Sequence, residues 1–150
     1  MINNIYKSNI LIIDDLKDNI SLIVDILQAE SYSNFYKATS ALNGIEILKK
    51  QPIDLIVLDI MMPEINGIEV CKIVRKELNN QDVAIIVTTA NQSKELLKRS
   101  FEVGANDFIQ KPFVNEYELI TRIKNLLTIT QKNKQTVNVE PSFSIDSKSI

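Results

Sequence analysis

Histidine is absent from the 150 residues of this chain, and cysteine occurs only once. Without histidine, the chain supplies no Ser-His triad, no histidine metal ligand and no phosphohistidine. A single cysteine excludes an internal disulfide bond and fits a reducing compartment. We therefore expect a cytoplasmic protein.

Glycine, long apolar runs and net charge are also scarce. The 3 glycines exclude a P-loop and a dinucleotide-binding fingerprint. No apolar run approaches the roughly 18 residues of a membrane-spanning helix, and the N-terminus lacks the apolar core of a signal peptide. A formal net charge of −2 provides no basic footprint for nucleic acid. From these absences we expect no membrane-spanning segment and no direct contact with nucleic acid.

Short apolar runs of strand length are what the sequence does contain. Continuous runs bounded by polar residues are typical of strands that are buried on both faces. They predict central strands β1 over 9–13, β3 over 55–58 and β4 over 83–87. Two weaker runs predict β2 over 35–38, at an edge, and β5 over 107–110.

The segments between these strands repeat apolar residues at helical spacing. They predict helices α1 over 16–29, α2 ending near residue 50, α3 over 68–78, α4 over 93–103 and α5 over 115–129. Asp18 is the expected N-cap of α1 and Ser93 that of α4, and Gly104 is expected to end α4. Strands that alternate with helices predict an α/β fold, a doubly wound five-stranded parallel sheet with helices on both faces.

This pattern assigns residues 8–130 to one domain. Residues 131–150 are polar, with four serines and Pro141. Such a composition predicts a disordered tail or linker.

Polar residues follow the predicted strands at their carboxyl ends, which meet at one edge of a parallel sheet and hold ligands in such folds. That edge receives Asp14 and Asp15 after β1, Asp59 after β3, Thr89 after β4 and Lys111 after β5. Carboxylates crowded into one cleft repel one another, and a divalent cation relieves the repulsion. Carboxylates without histidine or thiol partners favour Mg²⁺, with Mn²⁺ as the expected substitute. The alternative is an ordinary acidic surface cluster that includes helix caps.

These residue types suit phosphoryl transfer. A carboxylate such as Asp59 can act as a nucleophile and form an aspartyl phosphate. A cation and Lys111 would neutralise the phosphoryl oxygens, and the Thr89 hydroxyl could donate to one of them. Alone, Thr89 is an ordinary strand residue and Lys111 an ordinary surface lysine, so the prediction rests on their joint placement.

Four short motifs in this order and spacing resemble the receiver domain of response regulators. They are Ile-Asp-Asp ending at Asp15, Leu-Asp-Ile-Met-Met-Pro around Asp59, Thr-Ala from Thr89 and Lys-Pro-Phe from Lys111. The resemblance covers about residues 8–129. It implies a flavodoxin-like fold with strand order 2-1-3-4-5. It also implies a phosphoacceptor switch of a two-component phosphorelay, served by a histidine kinase or a histidine phosphotransfer protein, rather than an enzyme with a separate substrate.

The resemblance implies a role for each matching residue. Asp59 is the phosphoacceptor and a metal ligand, Asp15 binds Mg²⁺ directly, and Asp14 does so directly or through water. Met61 supplies its backbone carbonyl to the metal. Thr89 and Lys111 contact the phosphoryl group, and the Lys111–Pro112 bond is expected to be cis.

The resemblance also places a switch and an output surface. Phe108 stands at the position of the switch aromatic and would act with Thr89. Met61 and Asn91 flank the path of attacking water and would tune the lifetime of the acyl phosphate. Asp107 and Arg122 resemble positions that pair across a dimer in one regulator subfamily, which predicts homodimerisation or partner docking through α4, β5 and α5. A solvated face without a partner is the alternative.

Features of the sequence argue against three competing functions. Phosphatases with an aspartate nucleophile typically carry a second acid two residues later, where this chain has Met61. A flavin or nucleotide binder needs a glycine-rich or hydroxyl-rich loop after β1, where this chain has Asp-Asp-Leu-Lys-Asp. A degenerate receiver would lack acceptor-site residues, and here all of them are present.

Overall fold

The computed structural model describes residues 4–90, 94–113 and 115–148. It contains a five-stranded parallel sheet of order β2-β1-β3-β4-β5, which confirms the predicted strand order. The strands are β1 (Asn9–Ile13), β2 (Asn34–Ala38), β3 (Leu55–Asp59), β4 (Ala84–Thr89) and β5 (Asp107–Gln110).

The five predicted helices are present between and after these strands. They are α1 (Lys17–Ala29), α2 (Ala41–Lys50), α3 (Gly67–Lys72), α4 (Lys94–Glu102) and α5 (Glu116–Lys148). The helix α3 continues into a π-helical turn, Ile73–Glu77, and a short 3₁₀ turn, Ile5–Lys7, precedes β1.

Apolar clusters cover both faces of the sheet. Ile10 and Ile12 of β1 belong to the cluster that includes residues of α1 and α5, whereas Leu11 and Ile13 belong to the cluster that includes α2 and α3. Every residue of β3 and β4 is buried, while the edge strands β2 and β5 are partly exposed. The continuous apolar runs are therefore explained by burial on two faces.

The start of α1 differs from the prediction. Its N-cap is Leu16, and Asp18, the predicted cap, lies within the first turn. No side chain caps this helix, and Asp14 Oδ1 instead accepts the N–H of the cap residue, Leu16, at 2.9 Å. For α4, Gly104 follows the helix with a φ of 110°, as predicted, and Ser93 lies outside the described residues.

The end of α5 also differs from the prediction. The structure places residues 131–148 in this helix, where the sequence predicts an irregular tail. Contacts with the body of the domain accompany the first added turn: Gln131 donates to Ser8, and Lys134 pairs with Asp54. The loss of apolar periodicity near residue 129 therefore does not mark the helix end. In the described part of the chain, no helix is both long enough and apolar enough to cross a membrane.

Candidate functional site

Three carboxylates meet at the carboxyl edge of the sheet. Asp14 follows β1 and Asp59 ends β3, and they are only 1% and 5% exposed. Asp15 is half-buried beside them. One carboxylate oxygen from each residue lies within 4.8 Å of the others. The structure thus brings together the acidic residues that the sequence predicts to converge.

The ammonium group of Lys111 lies against two of these carboxylates. Its Nζ is 2.9 Å from Asp14 Oδ2 and 3.3 Å from Asp59 Oδ2. The Lys111 backbone N–H donates to the Thr89 carbonyl oxygen at 2.9 Å, which holds this lysine beside the end of β4. The Lys111–Pro112 bond is cis, as predicted. The cluster therefore already accommodates one positive charge.

Burial dominates the ionisation of Asp59. Removal from water raises the pKa of its carboxyl group above the usual range, against the lowering effects of the Met61 N–H and Lys111. Asp14 raises that pKa further. The Met61 N–H donates to Asp59 Oδ1 at 3.1 Å. Added positive charge would therefore stabilise the ionised site, and an all-oxygen donor set suits Mg²⁺.

A glycine lets the chain turn tightly after Asp59. A Cβ added to Gly67 would lie 2.7 Å from the Ile60 Cα and 2.9 Å from the Asp59 carbonyl oxygen. Both neighbours are backbone atoms that cannot move without shifting β3. Gly67 therefore allows the loop to close over the end of the strand before α3 begins.

Strand register divides the site residues between the two faces of the sheet. Successive side chains of a strand alternate between faces. Asp59 is two residues beyond Val57 and so lies on the face that α1 and α5 cover. Thr89 is two residues beyond Val87, whose register partner is Phe108, so Thr89 and Phe108 share the opposite face.

Two threonines end β4, and both are buried at 1% exposure. Thr88, to which the sequence assigns no role, is the register partner of Asp59. Its hydroxyl has no hydrogen-bond partner within residues 4–90, 94–113 and 115–148. Met61 is 54% exposed, and Asn91 lies outside the described residues.

Phe108 packs between α4 and α5. Its ring meets Phe101 edge-on at 6.1 Å between centroids, and the Arg122 guanidinium carbon lies 5.9 Å from the Phe108 centroid. Arg122 also donates to both carboxylate oxygens of Asp107, at 2.8 and 3.1 Å. The two residues that the sequence suggests for pairing across a dimer therefore pair within one chain.

One polar side chain at the site was missed by the sequence prediction. Asn19 Nδ2 donates to Asp14 Oδ1 at 3.3 Å. The available signal was its position in the first turn of α1, the helix that follows Asp14 and Asp15 directly.

A family model described as the response regulator receiver domain matches residues 10–124. The chain belongs to this receiver family. The receiver is 40% identical over 130 residues to the transcriptional regulatory protein YvrH of Bacillus subtilis (strain 168), covering 87% of the chain and 53% of YvrH. It is 37% identical over 127 residues to the response regulator SaeR of Staphylococcus aureus (strain USA300), covering 83% of the chain and 53% of SaeR. The receiver thus spans about half the length of these curated relatives.

Solved structures show the same fold. The CheY-like receiver domain protein of Methanospirillum hungatei JF-1 is 28% identical with a TM-score of 0.77, covering 85% of this chain and 98% of the other. The chemotaxis protein CheY4 of Vibrio cholerae is 25% identical with a TM-score of 0.74, covering 80% of this chain and 98% of the other. These likenesses confirm the predicted fold class and place the domain among the receivers of two-component systems.

Proposed function

We propose that this receiver is a phosphoacceptor switch in which Asp59 takes a phosphoryl group. The observation that carries this proposal is the buried Asp59 carboxylate beside Asp14, Asp15 and Lys111. A histidine kinase or a histidine phosphotransfer protein is the donor. The receiver acts in the cytoplasm and promotes only its own phosphorylation and dephosphorylation, so it is not an enzyme with a separate substrate.

In the proposed transfer, one bond to phosphorus forms and one breaks. An Asp59 oxygen forms a bond to phosphorus, while the bond from phosphorus to the donor nitrogen breaks and its electron pair stays on that nitrogen. Lys111, 3.3 Å from Asp59, stabilises the charge on the phosphoryl oxygens. The Thr89 hydroxyl, which starts on the opposite face of the sheet, would move over the carboxyl edge to donate to one of these oxygens. Asp14, Asp15, Asp59 and the Met61 carbonyl would hold Mg²⁺, which would offset the remaining negative charge.

The proposal is tested with acetyl phosphate and Mg²⁺ as a minimal donor system. We expect the intact mass to rise by one phosphoryl group, with acetate as the leaving group. A chain that stays at its starting mass in saturating acetyl phosphate would contradict phosphoacceptor function.

The proposed output surface consists of α4, β5 and the part of α5 before residue 126. Thr89 and Phe108 lie on the same face of the sheet, so a shift of Thr89 toward a phosphoryl oxygen would vacate space for the Phe108 ring. Phosphorylation would then favour one of two packings that already exchange. Because Arg122 pairs with Asp107 within the chain, pairing across a homodimer requires an exchange of partners. This supports weak, phosphorylation-dependent dimerisation or docking rather than a constitutive dimer.

Amide hydrogen exchange across residues 89–125 should change when beryllofluoride and Mg²⁺ mimic the phosphoryl group. The reason is that the mimic would favour one packing of Phe108 between Phe101 and Arg122. Exchange measured by mass spectrometry, with solution mass in parallel, checks this expectation. The Asp59→Asn variant under the same conditions is the control and should show no change. Unchanged exchange in the wild-type receiver would show that the switch does not use this face.

Replacing Met61 with asparagine should shorten the lifetime of the aspartyl phosphate several-fold. Met61 is bulky, apolar and two residues past Asp59, where it would hinder attacking water, whereas asparagine would admit and orient it. The measurement is the decay rate of the phosphorylated mass after acetyl phosphate is removed. Slower or unchanged decay in Met61→Asn would contradict this steric argument.

A further inference from the structure

Asp14 is the most enclosed carboxylate of the site, and both of its oxygens accept hydrogen bonds. Oδ1 accepts from the Leu16 N–H at 2.9 Å and from Asn19 Nδ2 at 3.3 Å. Oδ2 accepts from Lys111 Nζ at 2.9 Å. Each oxygen therefore has a distinct set of donors.

These contacts give the carboxylate a defined orientation. Lys111 touches both Asp14 Oδ2 and Asp59 Oδ2, so Oδ2 is the Asp14 oxygen that faces the acidic cluster. Oδ1 is turned toward the first turn of α1. The terminal torsion of an aspartate is intrinsically broad, so an orientation of this kind depends on the donors around it.

We infer that Asn19 is a positioning residue, which holds Asp14 with Oδ2 directed at the divalent-cation and phosphoryl site. This inference rests on the proposed function and adds to it a residue that no receiver motif in this sequence contains. Groups that orient a metal ligand without touching the metal typically change metal affinity by about 10–100-fold when they are removed. Leu16 keeps one donor on Oδ1 after Asn19 is lost, so the lower end of that range is expected.

The competing explanation is that Asn19 is an ordinary polar residue of the first helical turn. The backbone of that turn does not need its side chain, because the Asn19 N–H already donates to the Leu16 carbonyl oxygen at 3.1 Å. Leucine has a higher helix propensity than asparagine and a similar length. Asn19→Leu should therefore preserve α1 while removing the donor to Asp14.

The test measures Mn²⁺ affinity from the electron paramagnetic resonance signal of free Mn²⁺. Wild-type receiver, Asn19→Leu and Gln28→Leu are compared, with Asn19→Ala as a second variant if Asn19→Leu fails to fold. Gln28→Leu removes an exposed carboxamide from the same helix, far from Asp14. We expect the Mn²⁺ dissociation constant to rise about tenfold in Asn19→Leu and to stay unchanged in Gln28→Leu.

Phosphorylation kinetics provide a second readout that separates positioning from general damage. The rate from acetyl phosphate is measured against Mg²⁺ concentration. If Asn19 positions Asp14, Asn19→Leu raises the Mg²⁺ concentration for half-maximal rate and leaves the plateau rate within about twofold of the wild type. Wild-type affinity in Asn19→Leu, or an equal loss in Gln28→Leu, overturns the inference and leaves the proposed function standing. A wild-type receiver that binds no Mn²⁺ and takes up no phosphoryl group overturns both.

Discussion

Replacing Asp59 with asparagine is expected to abolish phosphorylation by acetyl phosphate. The amide nitrogen and oxygen of asparagine are poor nucleophiles, and the substitution is nearly isosteric, so the loss would reflect chemistry rather than packing. Burial raises the pKa of the Asp59 carboxyl group, which means that this site disfavours the charged form, so we expect it to accept an uncharged amide. Intact mass after incubation with acetyl phosphate and Mg²⁺ should show complete labelling of the wild-type receiver and none of the variant.

Asp54 offers a matched control at the opposite end of β3. Its carboxylate is buried, accepts the Asn9 N–H at 2.8 Å and pairs with Lys134. Asp54→Asn removes a similar buried charge from the residue that precedes the same strand but leaves the acidic cluster intact. We expect it to be phosphorylated like the wild type. A labelled product that persists in Asp59→Asn would assign the phosphoryl group to another residue.

The sheet and the convergence of its polar residues could be predicted because they follow from short-range rules. Strands buried on both faces require continuous apolar runs, and these runs identified β1, β3 and β4. Parallel strands bring their carboxyl ends to one edge, so the positions of Asp14, Asp59 and Lys111 along the chain were enough to place them together.

Side-chain contacts that reach beyond a single strand or helix could not be predicted in the same way. Arg75 is an example, because its guanidinium donates to the carbonyl oxygens of Asn80, Val83 and Gly104. Such acceptors belong to the backbone and leave no pattern in the sequence. The cap of α1 was misassigned because the cap residue is Leu16, which offers no side-chain acceptor, whereas the rule for helix starts favours a residue such as Asp18. Asn19 was overlooked because its partner lies outside its own helix.

The length of α5 could not be predicted for a similar reason, because contacts with other parts of the domain accompany its extension. The apolar periodicity of the helix ends near residue 129, which is why the sequence predicted its end there. The added turn carries polar residues, and these find partners on the body of the domain: Gln131 with Ser8 and Lys134 with Asp54. Polar composition alone therefore did not distinguish a helix from a loop in this segment. The separation of residues 131–150 from the receiver domain stays a prediction.

Replacing Asp15 with alanine is expected to remove metal-dependent phosphorylation. Asp15 lies with Asp14 and Asp59 in one cluster of carboxylate oxygens, and it is the most exposed of the three. Its removal leaves in place the hydrogen bonds that orient Asp14 and the contact of Lys111 with Asp59. Loss of a direct ligand should cost at least the roughly 100-fold in affinity that loss of an outer contact can cost. Chelation of the metal should have the same effect on the wild-type receiver.

The Asp15 experiment separates a metal site from a simple concentration of negative charge. Rates of phosphorylation are measured for the wild type, Asp15→Ala and Asp18→Ala over a series of Mg²⁺ concentrations and with a chelator. Asp18 is an exposed carboxylate in the first turn of α1, so Asp18→Ala removes the same charge nearby without touching the cluster. If net charge alone mattered, the two variants would behave alike. We expect Asp18→Ala to match the wild type and Asp15→Ala to show no phosphorylation over the Mg²⁺ range that saturates the wild type, because Asp15, unlike Asp18, contributes an oxygen to the cluster. Phosphorylation of Asp15→Ala at the wild-type rate in chelator would show that the acidic cluster serves another purpose.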